Sequence, residues 1–334
     1  MLSRLLMVLL LMGVIFPAVG SAGGQEIVVY SARKEHLIKP LFDRYTQKTG
    51  VEIKYITGKA GALLERLKAE GENTPADLFI TVDAGNLWRA ARVGVLQPVA
   101  SKVLAENVPA HLRDPGQNWF GLSVRARTLV YNTRAGVLDR LSTYEALADP
   151  AWKGKLVLRT SKKVYNQSLV ASLIADHGPQ EAENMVAGWV ANLAADPFAN
   201  DTKALEAVAA GIGDVTIVNT YYFGRLLKKQ PDLPLAIFWP NQGSSGVHVN
   251  VSGAGITAHA KHRQAALQLL EWLSGTEAQQ QFAALNMEYP VNAQVEVDPL
   301  VKEWGGFVAN PMNVARYGEL QAEAIKLMDR VNYK

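Results

Sequence analysis

The chain has no cysteine. That excludes a disulfide framework, thiolate metal sites, a cysteine nucleophile and lipid attachment through a leader cysteine. Charge of one sign is also lacking: Lys and Arg total 34 against 31 Asp and Glu, a net +3, and the basic residues are scattered among acids. Neither a nucleic acid nor a membrane surface is an expected partner. The short clusters Lys162-Lys163 and Lys228-Lys229 read as solvated loop or helix ends. After the first residues no stretch approaches the ~18 apolar residues that mark a membrane span. Catalytic signatures are missing as well. There is no Gly-x-Ser-x-Gly elbow, and His36, His111, His177, His248, His259 and His262 lack zinc or metalloprotease spacing. Gly58-Lys59-Ala60-Gly61 lacks Walker A spacing and reads as a strand-to-helix turn. No nucleophile and base stand out, so an enzyme is not expected.

What is present begins with an export signal. Arg4 precedes the apolar run Leu5 to Phe16, and Gly20-Ser21-Ala22 supplies small residues for cleavage after Ala22. This pattern predicts a signal peptide over 1–22 and a periplasmic destination. With 49% hydrophobic residues, the remainder fills two lobes without disulfides.

Hydrophobic spacing predicts alternating strands and helices. Glu26 to Ser31 reads as a buried strand, Glu35 to Lys48 as a helix ending at Gly50, and Val51 to Thr57 as a second strand. A helix over Ala60 to Gly71, a strand over Asp77 to Thr81 and a helix over Ala84 to Val93 follow. A second α/β unit has strands at Leu122 to Tyr131, Lys155 to Leu158 and Val215 to Val218. Its helices are at Asn166 to His177, Glu181 to Ala195 and Lys203 to Ala210. Val247 to Ile256 runs back as a strand, before helices at Arg263 to Ser274, Glu277 to Asn286 and Val314 to Val331. The order predicts an α/β fold of two lobes, 23–122 with about 252–305 and 123–251 with about 306–334. Strand crossovers near Ser123 and Asn250 would form its hinge. Trp88, Trp119, Trp152 and Trp239 are expected in cores or at lobe surfaces, and His248 as a strand cap.

The run Asn219-Thr220-Tyr221-Tyr222 closes the strand Val215 to Val218, and Tyr165 stands far upstream in Tyr165-Asn166-Gln167-Ser168. Alone, the pair also reads as the start of a strand or helix with one ring buried. Ligand sites in α/β folds lie beyond the carboxyl ends of strands, where this pair falls. Phenolate is a hard anionic oxygen donor, and a trivalent ion such as Fe(III) has the charge density to strip a phenol's proton.

At this point the chain resembles the periplasmic ferric-ion-binding proteins that feed ABC transporters, within the type II periplasmic binding fold. The resemblance spans nearly all of the chain after the leader. It rests on Val29-Tyr30-Ser31-Ala32-Arg33, Asn73-Thr74-Pro75-Ala76-Asp77, Trp119 to Arg127, Leu141 to Glu145, Asp149 to Gly154, Tyr165 to Ser168, Asn219 to Tyr222 and Val249 to Gly253. It implies Tyr165, Tyr221 and Tyr222 as ligands of Fe(III), a monomer, and delivery to an inner-membrane ABC permease. Many relatives carry a His-Tyr pair after the first motif. Here those positions hold Lys34 and Glu35, of which Glu35 offers a carboxylate to the metal or merely starts a helix. His36 is a weaker candidate.

The remaining metal positions are expected to go to a small anion, carbonate being the family's usual one. Arg125 and Arg127 lie two apart on one strand and so share a face, and a guanidinium fork holds planar oxyanions. Arg33 is a third candidate, Asn219 an orienting one; the arginines alternatively pair with acids across the hinge. The competing readings are the same fold binding a polyamine, thiamine or sulfate, and a periplasmic hydrolase or tyrosine-radical oxidase. Neutral Asn219 and Thr220 beside the pair disfavour a polyamine site.

Overall fold

The structure, a computed structural model, describes residues 26–334. The expected leader and its cleavage point lie outside the described residues. Strand β1 (Glu26–Ser31) leads into helix α1 (Glu35–Thr49), which ends where Gly50 adopts the left-handed conformation at φ 74°. Gly50 takes this turn without the steric cost a Cβ would bring. Then come β2 (Glu52–Thr57), α2 (Ala60–Glu70), β3 (Leu78–Val82) and α3 (Ala84–Arg92). β1 pairs in parallel with both β2 and β3, as short βαβ connections require.

After the short helix α4 (Lys102–Asn107) comes β4 (Phe120–Asn132), the longest strand, with almost every residue buried. The second unit holds β5 (Leu156–Val157), α5 (Val164–His177), α6 (Pro179–Ala191), α7 (Asp201–Ala209), β6 (Val215–Asn219), α8 (Thr220–Lys229) and β7 (Leu235–Phe238). β8 (Val249–Ile256) returns, before α9 (Arg263–Ser274), α10 (Thr276–Ala284), α11 (Pro299–Lys302) and α12 (Ala315–Arg330). Among the described residues no helix is long and apolar enough to cross a membrane.

The two units meet on β4 and β8. Phe120 to Ala126 of β4 pairs with β8, whereas Arg127 to Tyr131 pairs with β6. β8 also pairs with β3, so the strand order runs β2-β1-β3-β8-β4-β6-β5, with β7 on β4. A further backbone link, not foreseen in the sequence, joins them: Tyr289 and Val124 exchange N–H···O bonds of 2.7 Å in both directions. The segment flanking this link, expected with the first lobe, packs on α8, where Met287 and Val301 cluster with Tyr221 and the Trp304 ring meets Phe223. α12 lies across α3 and α5, and Gly318 lets it approach: a Cβ there would stand 2.4 Å from the Trp88 Cβ. Trp119 and Trp152 are buried, and His248 is enclosed beside the Tyr317 ring. Burial pushes the His248 imidazole down to about 3.

The β4–β8 junction is tight. At Gly253 an added Cβ would sit 2.4 Å from the Phe120 carbonyl oxygen, an immovable backbone atom. Gly253→Ala is expected to lower stability by about 1–3 kcal/mol through overpacking. Gly306→Ala, which meets nothing within 4 Å, serves as the control. Urea unfolding midpoints that do not differ between the two would contradict the tight-junction account.

Candidate metal centre

A cavity of about 170 Å³ opens where the strands of both units end. Ala32, Arg33 and Lys34 reach it from the turn after β1, Val82 from the end of β3 and Arg125 from β4. Tyr165 enters from the first turn of α5, and Tyr221, Tyr222 and Arg225 from α8; Asn286 and Glu288 close the hinge side. The structure therefore brings Tyr165, Tyr221 and Tyr222 onto one cavity.

The tyrosine pair lies just beyond the carboxyl end of β6, as the sequence suggested, in the first turn of a helix that hydrophobic spacing did not reveal. Tyr221, Tyr222 and Phe223 favour strands, and Gly224 weakens a helix. Packing overrides both, because a Cβ at position 224 would lie 2.6 Å from the Trp304 ring. The two phenol rings tilt together with centroids 4.5 Å apart. One turn later the Arg225 guanidinium sits 4.9 Å from each ring centre, at the spacing that lets helix neighbours meet.

Cations and burial set the protonation of these phenols. The Arg125 guanidinium lies 5.3 Å and Arg159 5.2 Å from the Tyr165 ring centre. Burial pushes the Tyr165 phenol above its ordinary value, with Arg125 pulling the other way. Tyr221, buried and next to both other tyrosines, is pushed well above it. At neutral pH both therefore hold their protons until a stronger positive charge arrives.

Arg33 and Arg125 are both about 3% exposed. Arg33 Nη1 donates to Ser252 (2.9 Å), to Glu288 (3.0 Å) and weakly to Ser123 (3.4 Å). Arg125 Nη1 donates to Ser252 at 2.9 Å. Nε and Nη2 of Arg33 and Nη2 of Arg125 are buried with no hydrogen-bond acceptor. Such orphaned donors are costly unless a further group accepts from them. Burial pushes the Glu288 carboxyl up, but Arg33 and Arg125 outweigh it and hold the group below the usual range.

Two expected residues sit elsewhere. Arg127, expected to share the anion with Arg125, is in the core. Its Nη1 donates to Asp201 (3.2 Å) and Asn219 (3.1 Å), and its Nη2 to Asn166 (2.5 Å) and the Ile217 carbonyl (3.0 Å). The physical reason is that β4 changes partner at this residue, from β8 to β6, and a buried charge needs a counterion there. Glu35 is also displaced from its expected role. It stands at the exposed start of α1, accepts from the Tyr55 hydroxyl at 2.9 Å and does not line the cavity; Lys34 does. Asn219 does touch the pair, donating from Nδ2 to the Tyr221 hydroxyl at 3.3 Å.

Several residues escaped sequence reading. Arg159 pairs with Asp201 at 3.1 Å and stands over the Tyr165 ring. Arg225 carried a faint signal, one helical turn beyond the pair; Glu288 and Asp201 carried none. Among the described residues no group of three His, Cys, Asp or Glu is placed to hold a metal; the oxygen side chains on the cavity wall are the three tyrosines, Asn286 and Glu288.

A family model of bacterial extracellular solute-binding proteins matches residues 73–309. The chain is 43% identical over 316 residues to iron uptake protein A1 of Synechocystis sp., covering 93% of this chain and 88% of that protein. Among solved structures it resembles a Trichodesmium protein in complex with iron and citrate (47% identity, TM-score 0.89, covering 92% of this chain and all of that one). Ferric iron-binding protein A of Mannheimia haemolytica, in an open conformation, superposes with TM-score 0.88 at 36% identity, over 93% of this chain and 99% of that one.

The core role of Arg127 predicts that Arg127→Met costs about 3–5 kcal/mol of stability, the price of leaving part of a buried ion network unpaired. Urea denaturation measures it. A variant as stable as the parent but defective in ligand binding would return Arg127 to the site.

Proposed function

The chain belongs to the bacterial extracellular solute-binding proteins, and on that premise we propose that it captures Fe(III) outside the cytoplasm and delivers it to an ABC-transporter permease. The phenolates of Tyr165, Tyr221 and Tyr222 bind the metal in this reading. A small anion such as carbonate completes its octahedral shell, held by the free guanidinium nitrogens of Arg33 and Arg125. The observation that carries the proposal is the convergence of these tyrosines, remote in sequence, on one cavity. Their negative charges, once formed, balance a trivalent ion, whereas Fe(II) would leave the site negative. Phenolate also suits a hard ion. Asn219 orients Tyr221 and Arg159 steadies Tyr165. The protein acts as a periplasmic monomer after removal of 1–22. The two lobes, built on the first and the second α/β unit, close over the bound metal. No catalytic step is assigned to the cleft.

An organic cation fits poorly, because Arg33, Lys34, Arg125 and Arg225 stand in the wall. An oxyanion alone would satisfy the arginines and leave the phenols without a role.

Adding ferric citrate to the apo protein is expected to produce a red-orange band from phenolate-to-iron charge transfer. Tyr221→Phe or Tyr222→Phe is expected to cost at least tenfold in affinity with an unchanged unfolding midpoint. A colourless mixture in which sulfate or phosphate binds would move the assignment to an oxyanion carrier.

The pH dependence follows from the raised phenols. Because Tyr165 and Tyr221 are protonated at neutral pH, each must lose a proton to bind the metal. Affinity then falls with falling pH, roughly tenfold per unit for each proton released. Iron binding in weakly buffered solution should acidify it; binding without proton release would contradict phenolate ligation.

A further inference from the structure

Outside the cleft lies a second cavity of about 630 Å³. Lys34, Tyr222 and Arg225 line both spaces, so the outer one is the vestibule of the inner. We infer that this vestibule is a subsite for the uncoordinated carboxylates of a polycarboxylate chelator that arrives bound to the metal; the inference rests on the Fe(III) reading above.

Its walls carry Lys34, Lys203, Arg225 and Lys229 against a single carboxylate, Glu206. Lys203 pairs with Glu206 at 2.7 Å. Among the described residues no carboxylate lies within ion-pair distance of Lys34, Arg225 or Lys229, an excess of positive charge that the chain itself does not neutralise. Lys34 sharpens the point. It occupies the N-cap of α1 without a capping hydrogen bond, at the positive end of a helix, where a cation is electrostatically unfavourable and an anion is favoured. Arg225, stacked on the tyrosine rings, makes no hydrogen bond or ion pair in the described structure and faces both spaces.

Ferric ion in neutral water is carried by oxygen-rich anions, and a hydroxy-polycarboxylate uses only some of its oxygens on the metal. The inner cavity has room for the metal and a small planar anion. A bulky chelator must place its remaining carboxylates in the larger space, against these cations. Charge of this density in a concave surface raises the local concentration and capture rate of an anionic ligand.

The test varies Lys203 and Lys229, neither of which touches the inner cavity. The double variant Lys203→Gln/Lys229→Gln and the parent are loaded from ferric citrate, or from ferrous iron oxidised by air with bicarbonate as the sole added anion. Association is followed in the charge-transfer band. The expected result is about a tenfold slower capture of ferric citrate at low ionic strength, a difference abolished by high salt, with bicarbonate loading unchanged. Equal rates with citrate, or equal losses with both sources, would overturn the subsite. So would loss of binding to phosphatidylglycerol vesicles with citrate capture unaltered, which would assign the patch to lipid. A parent protein that stays colourless with both sources overturns the metal reading itself, whereas colour with bicarbonate but no citrate effect sinks only the vestibule.

Discussion

A phenol buried away from water keeps its proton unless positive charge stands beside it, and the cleft is built around that constraint. Tyr221 is buried and Tyr165 half-buried, and desolvation pushes both phenols above their ordinary value, so both are driven to stay neutral. Beneath them Arg33 and Arg125 hold guanidinium nitrogens with no acceptor. The cleft thus offers neutral phenols and positive guanidinium edges. A weakly charged cation is repelled by the second and cannot ionise the first. On the proposed reading, a trivalent ion that brings a small anion would answer both demands, the metal replacing the phenolic protons and the anion occupying the orphaned donors.

Two buried carboxylates organise this arrangement from opposite sides. Asp201 accepts from Arg127, Arg159 and the Asn219 backbone. Arg127 in turn fixes Asn166 and Asn219, the neighbours of Tyr165 and Tyr221, so the tyrosine half of the centre is set by one ion network in the second unit. Glu288 accepts from Arg33 at 3.0 Å and Ser123 at 2.5 Å, next to the Tyr289–Val124 link. The guanidinium half therefore rests on the segments that join the units. A ligand engaging both halves ties the hinge to the second lobe, and this gives the closure proposed for the fold a physical basis in the site itself.

Much of this was legible in the sequence, for reasons that can be named. The first βαβ unit has clean strand and helix periods, and the observed β1 to α3 differ from expectation by a residue or two. β4 and β8 were visible as apolar runs, and the tyrosines as a chemical oddity in a chain without thiols. α8 was hidden because Tyr221 to Gly224 carries weak helix propensity and is held helical by packing against Trp304. β7 (Leu235–Phe238) is short and gained only by pairing with β4. Arg125 and Arg127 looked equivalent because strand alternation places both on one face. Only tertiary structure shows that Asp201, Asn166 and Asn219 enclose Arg127, whereas Arg125 borders the cavity with Asp83 3.8 Å from its Nη2. For Glu35 the sequence left a metal ligand and a helix-start acid both open, and its partner Tyr55 comes from the neighbouring strand β2. Glu288 and Arg159 gave no local signal at all, as their roles are defined by contacts made across long stretches of chain.

The most direct test of the central claim is resonance Raman spectroscopy of the iron-loaded protein, excited in the visible absorption band, with and without ring-deuterated tyrosine. The account predicts enhanced phenolate ring and C–O modes that shift on isotopic labelling and weaken in each single Tyr→Phe variant at positions 165, 221 and 222. Tightly bound iron whose spectrum shows no tyrosine-sensitive modes would contradict it.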